Sequence, residues 1–210
     1  MNHQPDYFSN HRLKLRFPWS LYHSPIVSSL DQAIRAAPGP EVLNVGSGPF
    51  FELDRLYTEG RRFSICDIDP RAIELASRLH GDRLARADAV LPDAGLPYAD
   101  ATFDLAVSMD VIEHLQEPRR WLAEIFRVVR PGGAVFLTTP NYGSWSLRFI
   151  EATALELVAR TQGFSRRHLH TTKFDDRSLD RILREMGADT IRVKSISHGW
   201  VLSANARRAQ

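Results

Sequence analysis

A single cysteine, Cys66, stands in the 210 residues of the sequence. One thiol can build neither an internal disulfide framework nor a multi-cysteine metal centre. Its place inside an apolar run reads as a buried thiol. No apolar stretch approaches the ~18–20 residues of a membrane-spanning helix, so no span is expected. The first residues, Met1–Asn10, are polar and lack the apolar core of a signal peptide. A cytoplasmic location is the resulting expectation. Charge of one sign is also lacking: 27 Lys and Arg against 25 Asp and Glu leave a formal charge of +2. Electrostatics therefore give no argument for a nucleic-acid partner. Basic clusters at Arg12–Arg16, Arg166–Lys173 and Arg207–Arg208 read as solvated surface. There is no internal repeat and no low-complexity segment.

What is present is an alternation of short β-like runs with helical patterns. That order argues for a doubly wound α/β fold with helices on both faces of a mostly parallel sheet. The length suits one domain, 1–210, against a prior of roughly 100–200 residues per domain. Strands are predicted at Glu41–Val45, Arg62–Asp67, Arg83–Ala87, Phe103–Met109 and Ala134–Thr139. Two more, Thr190–Ser197 and Trp200–Asn205, form a hairpin through His198-Gly199, so the seven-stranded sheet closes with an antiparallel strand. Helices are predicted at Pro25–Ala36, Phe51–Glu59, from Pro70 to before Gly81, Val111–Leu115, Pro118–Val129, Leu147–Thr161 and Arg177–Met186. Pro at a first turn and Gly past a last turn support these bounds. Val90–Thr102 reads as a loop and Pro131-Gly132-Gly133 as a tight turn.

Ligands of open α/β sheets bind beyond the carboxyl ends of the strands. After the first strand comes Val45-Gly46-Ser47-Gly48-Pro49-Phe50, whose glycines let the backbone turn sharply and a ligand approach closely. Asp67 ends the second strand, where a carboxylate can accept from a ribose hydroxyl pair. Asp88 lies just past the third, where it can accept from an exocyclic adenine amine. Ile68 and Ala89 stand beside them and can sandwich the base. A glycine pair alone is weak, and Asp67 can simply start a turn. Acids at the ends of consecutive strands favour a nucleoside.

Over about residues 40–205 the chain resembles the Rossmann-like methyltransferase superfamily. The resemblance rests on Val42-Leu43-Asn44-Val45-Gly46-Ser47-Gly48, Asp67-Ile68-Asp69-Pro70, Ala87-Asp88-Ala89, Phe103 through Ser108, and Leu122 through Arg130-Pro131-Gly132-Gly133 to Thr139-Pro140-Asn141. It implies S-adenosylmethionine as cofactor, with Asn44, Gly46, Ser47, Gly48, Asp67, Ile68, Asp88, Ala89 and Ser108 facing it. It also implies a cofactor-binding core at 40–140, an N-terminal lid or helix at 1–36, a lid excursion at 141–174, and a C-terminal helix and hairpin at 175–210. Two positions depart from the pattern. Asn44 stands where members carry an acid, and Phe50 where many carry a third glycine.

Asp110-Val111-Ile112-Glu113-His114 follows the fourth strand. On a helix, positions 110, 113 and 114 share one face. Asp110, Glu113 and His114, with a fourth ligand from His168 or His170, then suit a divalent ion, Mg or Mn. The block resembles the ubiquinone-pathway-type and small-RNA 3′-terminal O-methyltransferases, where a later histidine precedes a Phe; by its offset from Phe174, His170 matches better than His168. The competing reading is a capping box, with Asp110 as N-cap and Glu113 reaching back. Without a metal, His114 or His170 can act as the base. Aromatics in the lid elements, Tyr7, Phe8, Trp19, Tyr22, Tyr142 and Trp145, suit either an apolar acceptor pocket or plain packing. The reading is O-methylation of a small molecule, with no nucleic acid expected. Its rivals are an RNA 3′-terminal ribose 2′-O-methyltransferase and a non-catalytic S-adenosylmethionine-binding module.

Overall fold

The computed structural model describes residues 20–91, 94–150 and 170–210. Its strands are β1 Glu41–Val45, β2 Arg62–Asp67, β3 Leu84–Ala89, β4 Phe103–Met109, β5 Val129–Pro140, β6 Ala188–Ile196 and β7 Val201–Arg208. The described helices are α1 Ser20–Arg35, α2 Pro70–His80, α3 Pro118–Val128, α4 Trp145–Ile150 and α5 Asp176–Glu185. The strands make one sheet in the order β3-β2-β1-β4-β5-β7-β6. β1 to β5 pair in parallel, and β7 runs antiparallel between β5 and β6. The order reverses between β1 and β4, which opens the crevice where such sheets hold ligands.

Continuous apolar runs make the central strands because both faces of the sheet are covered. Successive residues feed opposite cores. Val42, Ile65, Leu105, Val107 and Phe136 pack with Leu30 and Ile34 of α1, Leu53, and Ile73 of α2. Their neighbours Leu43, Cys66, Ala106 and Leu137 pack with Leu122 and Ile125 of α3 and Leu179 and Leu183 of α5. Asp69 caps α2 and Asp175 forms a capping box with Ser178 at α5.

Several predicted elements differ. Phe51–Glu59 is only a 3-10 turn, Phe51–Arg55, entered from Phe50 in the left-handed region and followed by extended Leu56. The turn has length enough to drop Leu53 into the core and no more. Pro131-Gly132-Gly133 lies inside β5 as a bulge: β4 advances from Phe103 to Leu105 while β5 advances from Val129 to Ala134. A Cβ on Gly133 would sit 2.8 Å from the Arg130 carbonyl oxygen and 3.0 Å from that of Asp104, which is why the bulge needs glycine there. β3 runs on to Ala89, so Asp88 is within the strand rather than past it. α1 already includes Ser20, five residues before the predicted start, and carries Pro25 inside it. α4 starts at Trp145; the rest of the helix predicted to Thr161 lies outside the described residues, as do Tyr7, Phe8 and Trp19 of the N-terminal lid. Among the described residues, no helix is long and apolar enough to cross a membrane.

Candidate active site

Two groups of residues meet at the carboxyl ends of the parallel strands. The first is built on β1, β2 and β3. Beyond Val45 the chain turns through Gly46 (φ 69) and Gly48 (φ 52). The Gly46 and Ser47 amides donate to the Cys66 carbonyl at 2.8 and 3.2 Å, so the loop leans over the end of β2. A Cβ on Gly46 would lie 2.5 Å from Val111, while no described residue stands within 4 Å of one on Gly48. Among the described residues the space beside Gly48 is open. Asp67 accepts from the Gly48 amide at 2.7 Å through Oδ2 and from the Asp69 amide at 2.9 Å through Oδ1. A carboxylate has about four acceptor sites, so Asp67 is oriented and keeps capacity for a ligand.

In the register, Asp67 faces Ala89 and Cys66 faces Asp88. Asp88 accepts from the Arg86 guanidinium at 3.1 Å and from the Tyr98 hydroxyl at 2.9 Å. Ile68, 64% exposed, stands beside Asp67 at the rim. The buried thiol of Cys66 is pushed up to about 12 by burial and by the Asp67 and Asp88 carboxylates. It is therefore no nucleophile. Ser47 donates to the Gly48 carbonyl at 2.9 Å, and Ser108 to the Val45 carbonyl at 2.7 Å. Ser108 thus supports the loop from below. Asn44 is fully buried, and neither its amide nitrogen nor its oxygen has a hydrogen-bond partner.

The second group is built on β4, β5 and the returning chain at 170–174. The expected helix face is absent. Asp110 sits in the left-handed region (φ 53), and only a 3-10 turn, Ile112–His114, follows. The N-cap of that turn is Val111, and the Asp110 amide donates to Thr138 rather than to Glu113, so the reciprocal capping box is not formed. Asp110 is turned toward β5 instead: its amide donates to the Thr138 carbonyl at 3.0 Å, and its carboxylate accepts from the Thr138 hydroxyl at 3.0 Å. Glu113 is buried, and its Oε2 accepts from the Thr139 hydroxyl at 3.1 Å. The Thr172 amide donates to the Glu113 carbonyl, and Asn141 bridges to Phe174. These bonds bring His170 over the turn, its ring 5.0 Å from that of His114. The Tyr142 hydroxyl and His170 Nδ1 are hydrogen-bonded.

Ligand atoms of Glu113, His114 and His170 lie within 4.8 Å of one another. Asp110 is not in that group, and His168 lies outside the described residues. Two ligands on one ion at ~2.1 Å are at most about 4.2 Å apart, so a modest closure would seat a cation. One carboxylate and two imidazoles suit Mn better than Mg, which prefers an all-oxygen shell. A separate groove of about 450 Å³ between α1 and the β6–β7 hairpin, lined by Ser29, Arg192, Lys194 and Asn205 among others, contains none of these residues.

Residues 43–137 match the protein family described as "Methyltransferase domain". A "Probable S-adenosylmethionine-dependent methyltransferase" of Mycolicibacterium smegmatis is 34% identical over 158 residues, covering 70% of this chain and 59% of that protein. A malonyl-[acyl-carrier protein] O-methyltransferase of Hahella chejuensis is 36% identical over 101 residues, 47% of this chain and 36% of that one. The fold matches the crystal structure of a SAM-dependent methyltransferase from Aquifex aeolicus with a TM-score of 0.64 at 16% identity, over 94% of this chain and 97% of that chain. Over residues 43–137 the chain is thus similar to methyltransferases, on a fold shared with S-adenosylmethionine-dependent ones. It spans less than two thirds of the length of the curated relatives it matches.

S-adenosylmethionine is the cofactor to which these similarities point, and the residues present fit it. Open space beside Gly48 and spare acceptor capacity on Asp67 are what an adenosyl group needs. The unpartnered amide of Asn44 is a buried polar group with an unmet need, worth ~1–3 kcal/mol per unsatisfied atom. It leaves both a donor and an acceptor unmet beneath the glycine turn. Phe50 does not crowd the crevice as its bulk suggests. Its backbone takes the left-handed conformation that suits glycine, and its ring turns inward against Phe63 and His80. Sequence reasoning missed Tyr98, Thr139 and the packing role of Tyr142 on His170. No spacing rule points to them; only Tyr98, an aromatic inside a Pro- and Asp-rich loop, offers a signal that a side chain is being carried inward.

Proposed function

We propose that this chain transfers a methyl group from S-adenosylmethionine to a hydroxyl of a small molecule, assisted by a divalent ion held by Glu113, His114 and His170. The observation that supports the reading is that the loop after β1, which carries the Gly48–Asp67 cradle, packs at Gly46 against Val111, just before Glu113 and His114, whose ligand atoms lie within 4.8 Å of that of His170.

Transfer breaks the sulfonium–methyl bond and forms an oxygen–methyl bond, leaving S-adenosylhomocysteine. In-line alignment and exclusion of water do most of the work. The cradle holds the donor through its ribose and methionine ends. The acceptor's proton must leave as its oxygen is methylated; without a bound ion, His114, whose side chain is 44% exposed beside Glu113, is placed to take it. A bound cation would lower the pKa of the acceptor hydroxyl. Glu113 Oε2 accepts from Thr139, and its Oε1 stands 3.9 Å from His114 Nε2. With Nδ1 hydrogen-bonded to the Tyr142 hydroxyl, His170 would turn Nε2 to the ion. Such outer partners fix ring orientation. Trp145 and Phe149 of α4, 74% and 63% exposed, supply apolar surface near Tyr142 for the body of an aromatic or otherwise apolar acceptor.

The test has two parts. Production of S-adenosylhomocysteine is followed across a panel of phenols and hydroxylated metabolites, with and without EDTA. Mn²⁺ binding is followed separately by electron paramagnetic resonance. Mn²⁺ should bind the wild-type chain and not His170→Ala. Full activity in excess EDTA rejects the metal; cofactor binding with no turnover on any acceptor supports the non-catalytic alternative.

A further inference from the structure

We propose that Tyr98 and Arg86 are positioning residues that lock the Asp88 carboxylate for reading the exocyclic amine of adenine. The inference rests on the cofactor reading above and names what sets its base specificity.

A carboxylate on a short side chain turns freely about its last bond, whose torsion is broad and roughly two-fold. Asp88 cannot turn, because each oxygen has its own donor. Tyr98 Oη stands 2.9 Å from Oδ2, and the Arg86 guanidinium 3.1 Å from Oδ1. The two donors brace each other, with the guanidinium 4.7 Å from the centre of the Tyr98 ring. Tyr98 is 5% exposed and meets Phe103 edge-on at 5.0 Å. Its hydroxyl has one proton, with Asp88 at 2.9 Å, the Ile65 carbonyl at 3.3 Å and the Cys66 sulfur as acceptors in reach. The shorter, charge-assisted bond wins. Burial in the core holds that proton on, far above the ordinary phenol range.

The loop that carries Tyr98 is clamped from α3. Arg127 donates to the carbonyls of Leu96 at 3.0 Å and Tyr98 at 2.8 Å. Glu124 accepts from the Leu96 amide at 2.8 Å and pairs with Arg127. A phenylalanine would fill the same space. The hydroxyl's effect falls on the carboxylate, which keeps acceptor sites for a base amine.

The experiment is calorimetry with two ligands, S-adenosylhomocysteine and S-inosylhomocysteine, which carries an oxygen in place of the amine. The wild-type chain should bind the adenosyl compound at least tenfold more tightly. Tyr98→Phe should cut that preference to threefold or less, and in an Asp88→Ala background it should change the preference no further. A purely structural defect weakens both ligands alike and leaves the ratio unmoved; that result, or no preference in the wild type, overturns the inference. Arg86→Gln, at an exposed position, applies the same ratio to the other oxygen should Tyr98→Phe fail to fold. Failure of the wild-type chain to bind S-adenosylhomocysteine at all sinks the cofactor reading itself, a distinct outcome.

Discussion

Replacing Asp67 by Ala removes two kinds of bond at once. The first kind is internal: the amides of Gly48 and Asp69 lose their acceptor. Bonds to a charged group contribute about 1.5–3 kcal/mol each. Asp67 is only half-buried, so water replaces part of each, and a total loss of about 1–3 kcal/mol in stability is expected. In a chain of this size that shifts Tm by about 2–4 °C per kcal/mol. The second kind is to the ligand. Two ribose hydroxyls lose a charged acceptor, and even the lower figure gives about 3 kcal/mol together. At 1.4 kcal/mol per tenfold, the Kd for S-adenosylhomocysteine should rise at least ~100-fold. Freeing Gly48 adds to this, since the loop that must meet the methionine end is no longer fixed. Calorimetry at a temperature well below the variant's Tm separates the two effects. A Kd within threefold of wild type, alongside the expected fall in Tm, would show that Asp67 braces the loop and does not hold the ribose.

Phe50→Gly relieves a left-handed residue, worth about 1–2 kcal/mol, but empties a core site whose loss costs about 3–5 kcal/mol. The cavity should win, and urea unfolding should show a net destabilisation of about 2 kcal/mol; a gain in stability refutes the packing account. Glu124 is held below the ordinary carboxylate range, first by the Arg127 hydrogen bonds acting against burial. Its folded pKa is depressed, so its stabilisation is complete above the unfolded value of ~4.3 and is lost as pH falls through the folded value. The Tm gap between wild type and Glu124→Gln should therefore be widest near neutrality and close in acid; a gap independent of pH removes the charge from the argument. Cys66, with its thiol raised to about 12 and buried, should resist iodoacetamide at pH 8 in the native state and react once urea unfolds the chain. Rapid native alkylation, read by mass spectrometry, would contradict that burial.

The parts legible in the sequence are those fixed by local pattern. β1, β2 and β4 fall on their predicted residues because an uninterrupted apolar run between turn residues leaves little choice of ends. The glycine turn, the acid that ends β2 and the hairpin follow from the same local rules. The 110–114 run was legible in residue type and not in shape. Its spacing fits a helix face, yet Asp110 pairs with Thr138 on a strand that begins 19 residues later, and the turn that remains is too short for α-helical geometry.

Composition and pattern thus determined the layered α/β sheet, its order of elements and the strand ends at which a nucleoside can sit, because burial and turn chemistry act over a few residues. Only the tertiary structure decided which side chains hold which. Thr139 on Glu113, Tyr142 on His170 and Tyr98 on Asp88 link residues separated by 26, 28 and 10 positions. Such bonds depend on strand register and on how the chain returns over the sheet, and no periodicity in the sequence encodes either.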